Sequence, residues 1–438
     1  MKKISLSQKL LFGAGELSGS LSNTIIGFFF LFYLTDIVKL KPALAGIAIL
    51  IGKLWDSVAD TLFGIISDRT KSRFGRRRVY LLFGTVPLGC TFFLLWIQSP
   101  YWTQMQMFLF ATLTFILHET SLTTIVIPYQ TLTAEMTGDY DERTSLTGFR
   151  MAFNVIGSMG GVIIPRILTS SYPIATKGFL VMAIVFALVI GFAPIFPFLS
   201  CREKPVSPKH LTFKEDIVTL LKNRPFKLIL IMFLFTWTSI NLLQTMFLYF
   251  FTYYLHMEKQ FSLITAIIFI TSAIFIPLWV KLSRSLGKKK AYIIGVSFLG
   301  ISILAIIFVT PGSFILVYIL AMFIGIGLAA AHVMPHTIIP DTIDYGQSIT
   351  GVRQEGLYYG FLTFIQKIGT ALAIGASGII LQYAGYVPNV VQSPKALWSI
   401  RILLGPIPGI FFLIGIICIC FYPIDKKMHS DIQKKLMN

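Results

Sequence analysis

The chain has 438 residues, 55% hydrophobic and 13% charged, with 37 Lys and Arg against 19 Asp and Glu for a net charge of +18. Its mean hydropathy is +0.76, and since soluble domains carry roughly a quarter charged residues, a soluble globular protein is excluded. The apolar residues come in runs long enough to cross a ~30 Å hydrocarbon core as helices. The basic residues sit in short segments between those runs, which excludes a nucleic-acid-binding face and reads as positive-inside topology.

The first apolar run, from about Leu10 to Leu34, is too long for a signal-peptide core and has no small-residue cleavage site, so it is expected to stay as the first span. Its stretch GFFFLFYL (27–34) is expected to pack against lipid. The second run, about 43–67, contains KLWDSVAD (53–60). Asp56 and Asp60 are four apart and share one helical face, and Lys53, three before Asp56, reaches the same face. A charge at mid-span costs roughly 2.5–3.5 kcal/mol. A structural Lys–Asp pair would account for one carboxylate, whereas a monovalent-cation or proton site accounts for both, because close like charges are relieved by binding Na⁺ or H⁺. Beyond them lies GIISDRTKSRFGRRR (64–78). Asp68 follows Asp60 by ~12 Å at 1.5 Å per residue.

Further spans are expected at 79–98, 104–134, 150–171 and 176–199, then at 226–254, 261–284, 291–310, 313–339, 357–384 and 399–422. The polar connection 201–225 separates six from six. Two segments recur across it: GIISDRTKSRFGRRR has a counterpart in WVKLSRSLGKKK (279–290), and IPYQTLTAEMTGDY (127–140) in MPHTIIPDTIDYG (334–346). Such matching positions indicate a duplicated six-helix unit with substrate bound near the midplane. Lys367, within FLTFIQKIGTALA, sits mid-span in the eleventh run and is available as a counter-charge to the carboxylates. Cys90, Cys201, Cys418 and Cys420 have no spacing that suggests zinc or disulfides. No His-Glu-x-x-His or nucleophile–base signature points to an enzyme.

Together these segments resemble the major facilitator superfamily, and within it the glycoside–pentoside–hexuronide:cation symporters typified by melibiose permease. The segments in order are LWDSVADTLFG (54–64), GIISDRTKSRFGRRR, IPYQTLTAEMTGDYDERTSLTGFR (127–150), DTIDYG (341–346), IQKIGTA (365–371) and GYVPNVVQS (385–393). The resemblance implies an all-α integral membrane protein of about twelve helices in two pseudo-symmetric bundles, 1–200 and 226–438, joined by a cytoplasmic loop at 201–225. It implies cation-coupled symport by alternating access, in the inner (cytoplasmic) membrane, with both termini cytoplasmic and the protein a monomer. The partners it implies are the bilayer, a small-molecule substrate and a monovalent cation, with Na⁺ as coupling ion (H⁺ or Li⁺ as alternatives) and no cofactor.

Carried over by position, Asp56, Asp60 and Thr123 match the family's cation site, and Lys367 and Lys53 its charge partners. Ser20, Val126, Gln130, Arg150, His332 and Lys367 match its substrate site. Asp68, Arg76, Arg77, Arg78, Asp139, Asp141, Glu142 and Arg143 match its cytoplasmic gate. Ser20 and Val126 stand where melibiose-type members carry sugar-binding acids, Gln130 and His332 replace aromatic residues, and Ala59 replaces a polar residue of sodium-using members. These departures speak against galactosides and leave Na⁺ or H⁺ open. With Arg150 and Lys367 near the midplane, a sugar or glycoside is expected, an anionic one such as a hexuronide included. A lysophospholipid or other amphiphile, uncoupled facilitation and export remain the alternatives.

Overall fold

A backbone buried in hydrocarbon must pair its polar groups within its own segment, so apolar runs of this length close as helices. The structure, a computed structural model, describes residues 4–97, 99, 101–137, 140–201, 220, 223–351 and 354–437, and among these it contains helices and no strand. Among the described residues, ten helical stretches of 21 to 36 residues are long and apolar enough to cross a membrane. The expected first and third spans are helical but interrupted.

In chain order the helices are α1 (Leu6–Ala14), α2 (Glu16–Ile25), α3 (Pro42–Arg69), α4 (Arg78–Phe83), α5 (Thr85–Leu95), α6 (Gln104–Met136), α7 (Tyr140–Ser170), α8 (Ala175–Phe192) and α9 (Ile195–Ser200). They continue as α10 (Arg224–Tyr249), α11 (Phe261–Leu286), α12 (Lys288–Leu304), α13 (Phe314–Thr350), α14 (Glu355–Tyr383), α15 (Pro394–Leu404), α16 (Pro406–Cys420) and α17 (Lys426–Met437). The first span runs through α1 and α2 into two π-helical turns, Ile26–Phe30 and Tyr33–Ile37. The chain forms two compact units: residues 1–209 with 374–390, and residues 210–373 with 391–438.

In the first unit α3 packs on α6, α2 on α7, and α5 on α8. The Phe-rich stretch does not face lipid as expected. Phe28, Phe29, Phe30, Leu31 and Tyr33 are buried, with the Phe30 ring 5.3 Å from Phe115 and 5.6 Å from Trp96. The Tyr33 hydroxyl donates to the Trp96 carbonyl at 2.6 Å. The widened π-helical turns reset the 100° step that an uninterrupted α-helix would impose, so consecutive aromatics pack inward. Residues 374–390 are fastened to the start of α3. A Cβ on Gly46 would stand 2.8 Å from the Gly375 carbonyl oxygen, so only glycine permits this approach. Beside it the buried Asp36 carboxylate accepts from the Tyr386 hydroxyl at 2.7 and 2.8 Å, and the Asn389 amide donates to the Asp36 carbonyl at 2.7 Å.

In the second unit α13 packs on α11 and α12, and α10 on α16. The two repeated segments meet here through Lys288, whose ammonium donates to both carboxylate oxygens of Asp341 at 2.7 and 2.8 Å. In the first unit the corresponding segments meet in the same way, through Arg76 and Glu135 at 2.7 Å. The sequence repeat thus corresponds to a repeated ion pair, a basic residue after one helix clamping an acid on another.

Candidate functional site

The carboxylates of α3 face α6. A Cβ at Gly52 would collide with the Phe115 ring, so a bare glycine brings α3 against α6 one turn above the acids. Asp56 is buried, Asp60 partly so, and Thr123 of α6 lies opposite both. The Thr123 hydroxyl stands 3.0 Å from Asp56 Oδ1 and 3.1 Å from Asp60 Oδ1. One hydroxyl proton serves two acceptors, so three oxygens from two helices converge on one buried point. Oxygen donors with excess negative charge are what a hard monovalent cation or a proton takes. Asp56, Asp60 and Thr123, read from sequence as one site, are therefore together.

Lys53 does not pair with the aspartates one turn away. Its ammonium stands 2.7 Å from Glu119 Oε1 on α6, with side chains 11% and 1% exposed, and 5.6 Å from the centre of the Phe115 ring. Phe115, Glu119 and Thr123 recur every four residues and form the face of α6 turned to α3. The neighbouring His118 is fully buried, with Nε2 2.7 Å from the Ser22 hydroxyl, and is a packed polar residue. Glu119 was the member of this group that the sequence pattern did not single out. Its signal was its mid-span position four residues before Thr123.

The expected substrate residues divide between the units. Arg150 is paired in place: Nε and Nη2 are each 2.9 Å from Glu16 Oε2, Nη1 donates to the Thr133 hydroxyl at 3.0 Å, and its guanidinium lies 4.9 Å from the Tyr129 ring centre. Ser20 turns its hydroxyl to the Glu16 carbonyl of its own helix at 2.9 Å. Val126 lies opposite Gly19, 3.6 Å from where a Cβ would be, and Gln130 is exposed further along α6. Those four belong to the first unit. In the second, His332 Nδ1 donates to the Leu328 carbonyl at 3.1 Å and its ring packs edge-on to Trp237 at 5.1 Å. Lys367 is half-buried in the middle of α14.

Among the residues expected to form a gate, Arg76 and Arg77 both meet Glu135, at 2.7 and 3.2 Å. Arg78 donates instead to the Phe198 carbonyl at 2.7 and 3.2 Å and lies 4.6 Å from the centre of its ring. Glu142 pairs with Lys9 of α1 at 2.9 Å. Asp139, and the side chains of Asp68, Asp141 and Arg143, lie outside the described residues. Glu135 stands in the repeated segment IPYQTLTAEMTGDY, yet a carboxylate in a line of Thr and Ala gave no charge pattern to mark it.

A helical fold with ten described stretches long and apolar enough to cross a membrane defines a multi-pass membrane protein. The family described as MFS/sugar transport protein matches residues 11–426, and the chain belongs to that family. Among its relatives, the uncharacterized symporter YnaJ of Bacillus subtilis is 32% identical, covering 100% of this chain and 96% of its own length. The uncharacterized symporter sll1374 of Synechocystis is 28% identical over 99% of this chain and 97% of its own. The sodium-dependent lysophosphatidylcholine symporter 1-A of Danio rerio is 25% identical over 99% of this chain and 89% of its own. The crystal structure of the nucleoside transporter NupG has the same fold, with a TM-score of 0.68 at 14% identity, covering 96% of this chain and all of NupG. The chain is a transporter and not an enzyme.

Proposed function

We propose that this transporter is a cation-coupled symporter whose coupling ion, Na⁺ or alternatively H⁺ or Li⁺, binds between Asp56, Asp60 and Thr123, and whose substrate is a sugar or glycoside. The observation that carries the reading is the Thr123 hydroxyl standing within 3.1 Å of both carboxylates, one buried and one partly so. A merely structural charge pair would leave no reason for a second acid there. Lys53, with its own partner in Glu119, does not neutralise the pair. Lys367 and the gate residues act on that site in the roles the resemblance implies, and the basic connections set both termini on the cytoplasmic side of a cell membrane, with the protein working as a monomer.

The Glu16–Arg150 pair bears on substrate charge. A guanidinium already matched by a carboxylate gives less reason for an anionic ligand, so a neutral glycoside fits better than a hexuronide. A second reading, a lysophospholipid as substrate, is favoured by the Danio rerio relative, whose name specifies such a lipid and sodium dependence.

Cation and substrate affinities must rise by the same factor when the other is bound. The test is therefore a thermal-shift screen of the purified protein with Na⁺, Li⁺ and acid pH, crossed with neutral sugars, hexuronides and lysophosphatidylcholine. A substrate shift that grows with one cation identifies both ligands. Sugar shifts indifferent to every cation and to pH would sink the symport reading, and a cation-dependent shift with lysophosphatidylcholine alone would select the second.

A further inference from the structure

We propose that a cavity in the first unit, between α4–α5 and α6, holds an acyl chain of an anionic phospholipid, with the lipid's headgroup on exposed cations of the turn that precedes α4. The cavity measures about 380 Å³, and Thr70, Tyr80, Phe83, Gly84, Ser121 and Thr124 contribute to its walls. Ligand sites commonly span ~300–1,000 Å³. At Gly84 a Cβ would stand 2.7 Å from the Ile125 side chain, so a bare glycine brings the third span against α6 and closes the inner wall.

The hydroxyls of the cavity are already engaged. Thr120, Ser121 and Thr124 donate to carbonyls one turn back on α6 at 2.7, 2.8 and 2.7 Å. Thr70 donates to the Ile66 carbonyl at 2.8 Å and stands 2.5 Å from the Tyr80 hydroxyl. With those groups committed, the remaining walls, Val79, Phe83 and Pro87, suit an apolar occupant. Phe83 is 61% exposed and Val86, next to Pro87, is 71% exposed. On a membrane span such side chains face hydrocarbon, so the occupant that reaches the cavity is a lipid chain.

Charge selects the lipid. The cations of GIISDRTKSRFGRRR divide into two groups. Arg76 and Arg77 turn to Glu135 and Arg78 to the Phe198 carbonyl, whereas Arg69, Lys71 and Arg73 are exposed. Arg69 and Lys71 flank Thr70 of the cavity wall. The Arg73 guanidinium lies 4.7 Å from the centre of the Phe74 ring, which meets the Phe83 ring edge-on at 5.9 Å. Three cations thus border residues of one cavity, on the side that the basic connections set toward the cytoplasm. Basic residues at that level attract anionic headgroups, and guanidinium groups match phosphate oxygens.

The test titrates the purified full-length protein in detergent with phosphatidylglycerol and, separately, with phosphatidylcholine of the same acyl chains. The readout is the lipid concentration giving half the maximal thermal shift. For the parent it should be at least fivefold lower with phosphatidylglycerol. In the triple variant Arg69→Gln, Lys71→Gln, Arg73→Gln, changed only at exposed positions, the two lipids should fall within twofold of each other. Ser121→Phe fills the cavity and should raise the phosphatidylglycerol concentration at least fivefold with all three cations in place. Where it does not yield folded protein, Thr124→Leu replaces it, and where neither folds the triple variant decides. A parent that does not distinguish the two lipids overturns the proposal, as does a triple variant that keeps the preference. A filled cavity that leaves phosphatidylglycerol binding at the parent's level also overturns it, because surface charge alone would then hold the lipid.

Discussion

Replacing Asp60 by Asn tests the cation site at its most exposed ligand. The change keeps the side chain's shape and one oxygen but removes one of two negative charges that converge on the Thr123 hydroxyl. At a separation of about 4 Å and an effective dielectric of about 20, one carboxylate attracts a monovalent cation by roughly 4 kcal/mol. The amide oxygen returns part of this as a neutral ligand, so the net loss should be about 2–4 kcal/mol, or roughly 30- to 1,000-fold in cation affinity. The change also relieves the repulsion of one like charge from Asp56. The expected signature is a strongly weakened shift when Na⁺ or Li⁺ is added. In membrane vesicles, uphill uptake should disappear while substrate exchange survives. A half-saturating cation concentration within threefold of the parent, or intact uphill uptake, would refute the assignment.

Three further substitutions probe the surroundings. Gly52→Ala places a methyl group into the Phe115 ring; it should push α3 from α6 and weaken cation binding several-fold without altering any ligand, and an unchanged cation response would show that this helix approach does not set the site. Glu135→Gln removes the acid shared by Arg76 and Arg77; leaving largely buried guanidinium groups without it should cost about 2–4 kcal/mol, read as a lower thermal midpoint, and an unmoved midpoint would contradict the clamp. Asp36→Asn turns charge-assisted hydrogen bonds from Tyr386 into neutral ones, a loss of about 1–2 kcal/mol. It should speed hydrogen–deuterium exchange across residues 374–390, and exchange as slow as in the parent would count against Asp36 as their anchor.

Much of this protein follows from sequence because local chemistry decides it. Apolar runs in a bilayer have no option but helix, and the four-residue spacing of Asp56 and Asp60 puts them on one face whatever surrounds them. Thr123, matched to those acids by the resemblance, stands opposite both; Thr120, Ser121 and Thr124 lie on the same stretch, so spacing alone did not select it. The repeated segments indicated a duplicated unit, and the ion pairs that join them, Arg76 with Glu135 and Lys288 with Asp341, emerged only in the structure.

Tertiary structure decided which charge meets which. Lys53 had an aspartate one turn away on its own helix and pairs with Glu119 across α6. Arg150, open to an anionic ligand in the sequence, is matched by Glu16 from more than a hundred residues earlier. The run GFFFLFYL is buried because π-helical turns alter the facing of successive residues. Periodicity along one helix fixes which side chains share a face. Partners across helices depend on register and closeness of approach, and at this site those are set by the absence of a side chain at Gly52 and the Phe115 ring that fills the space.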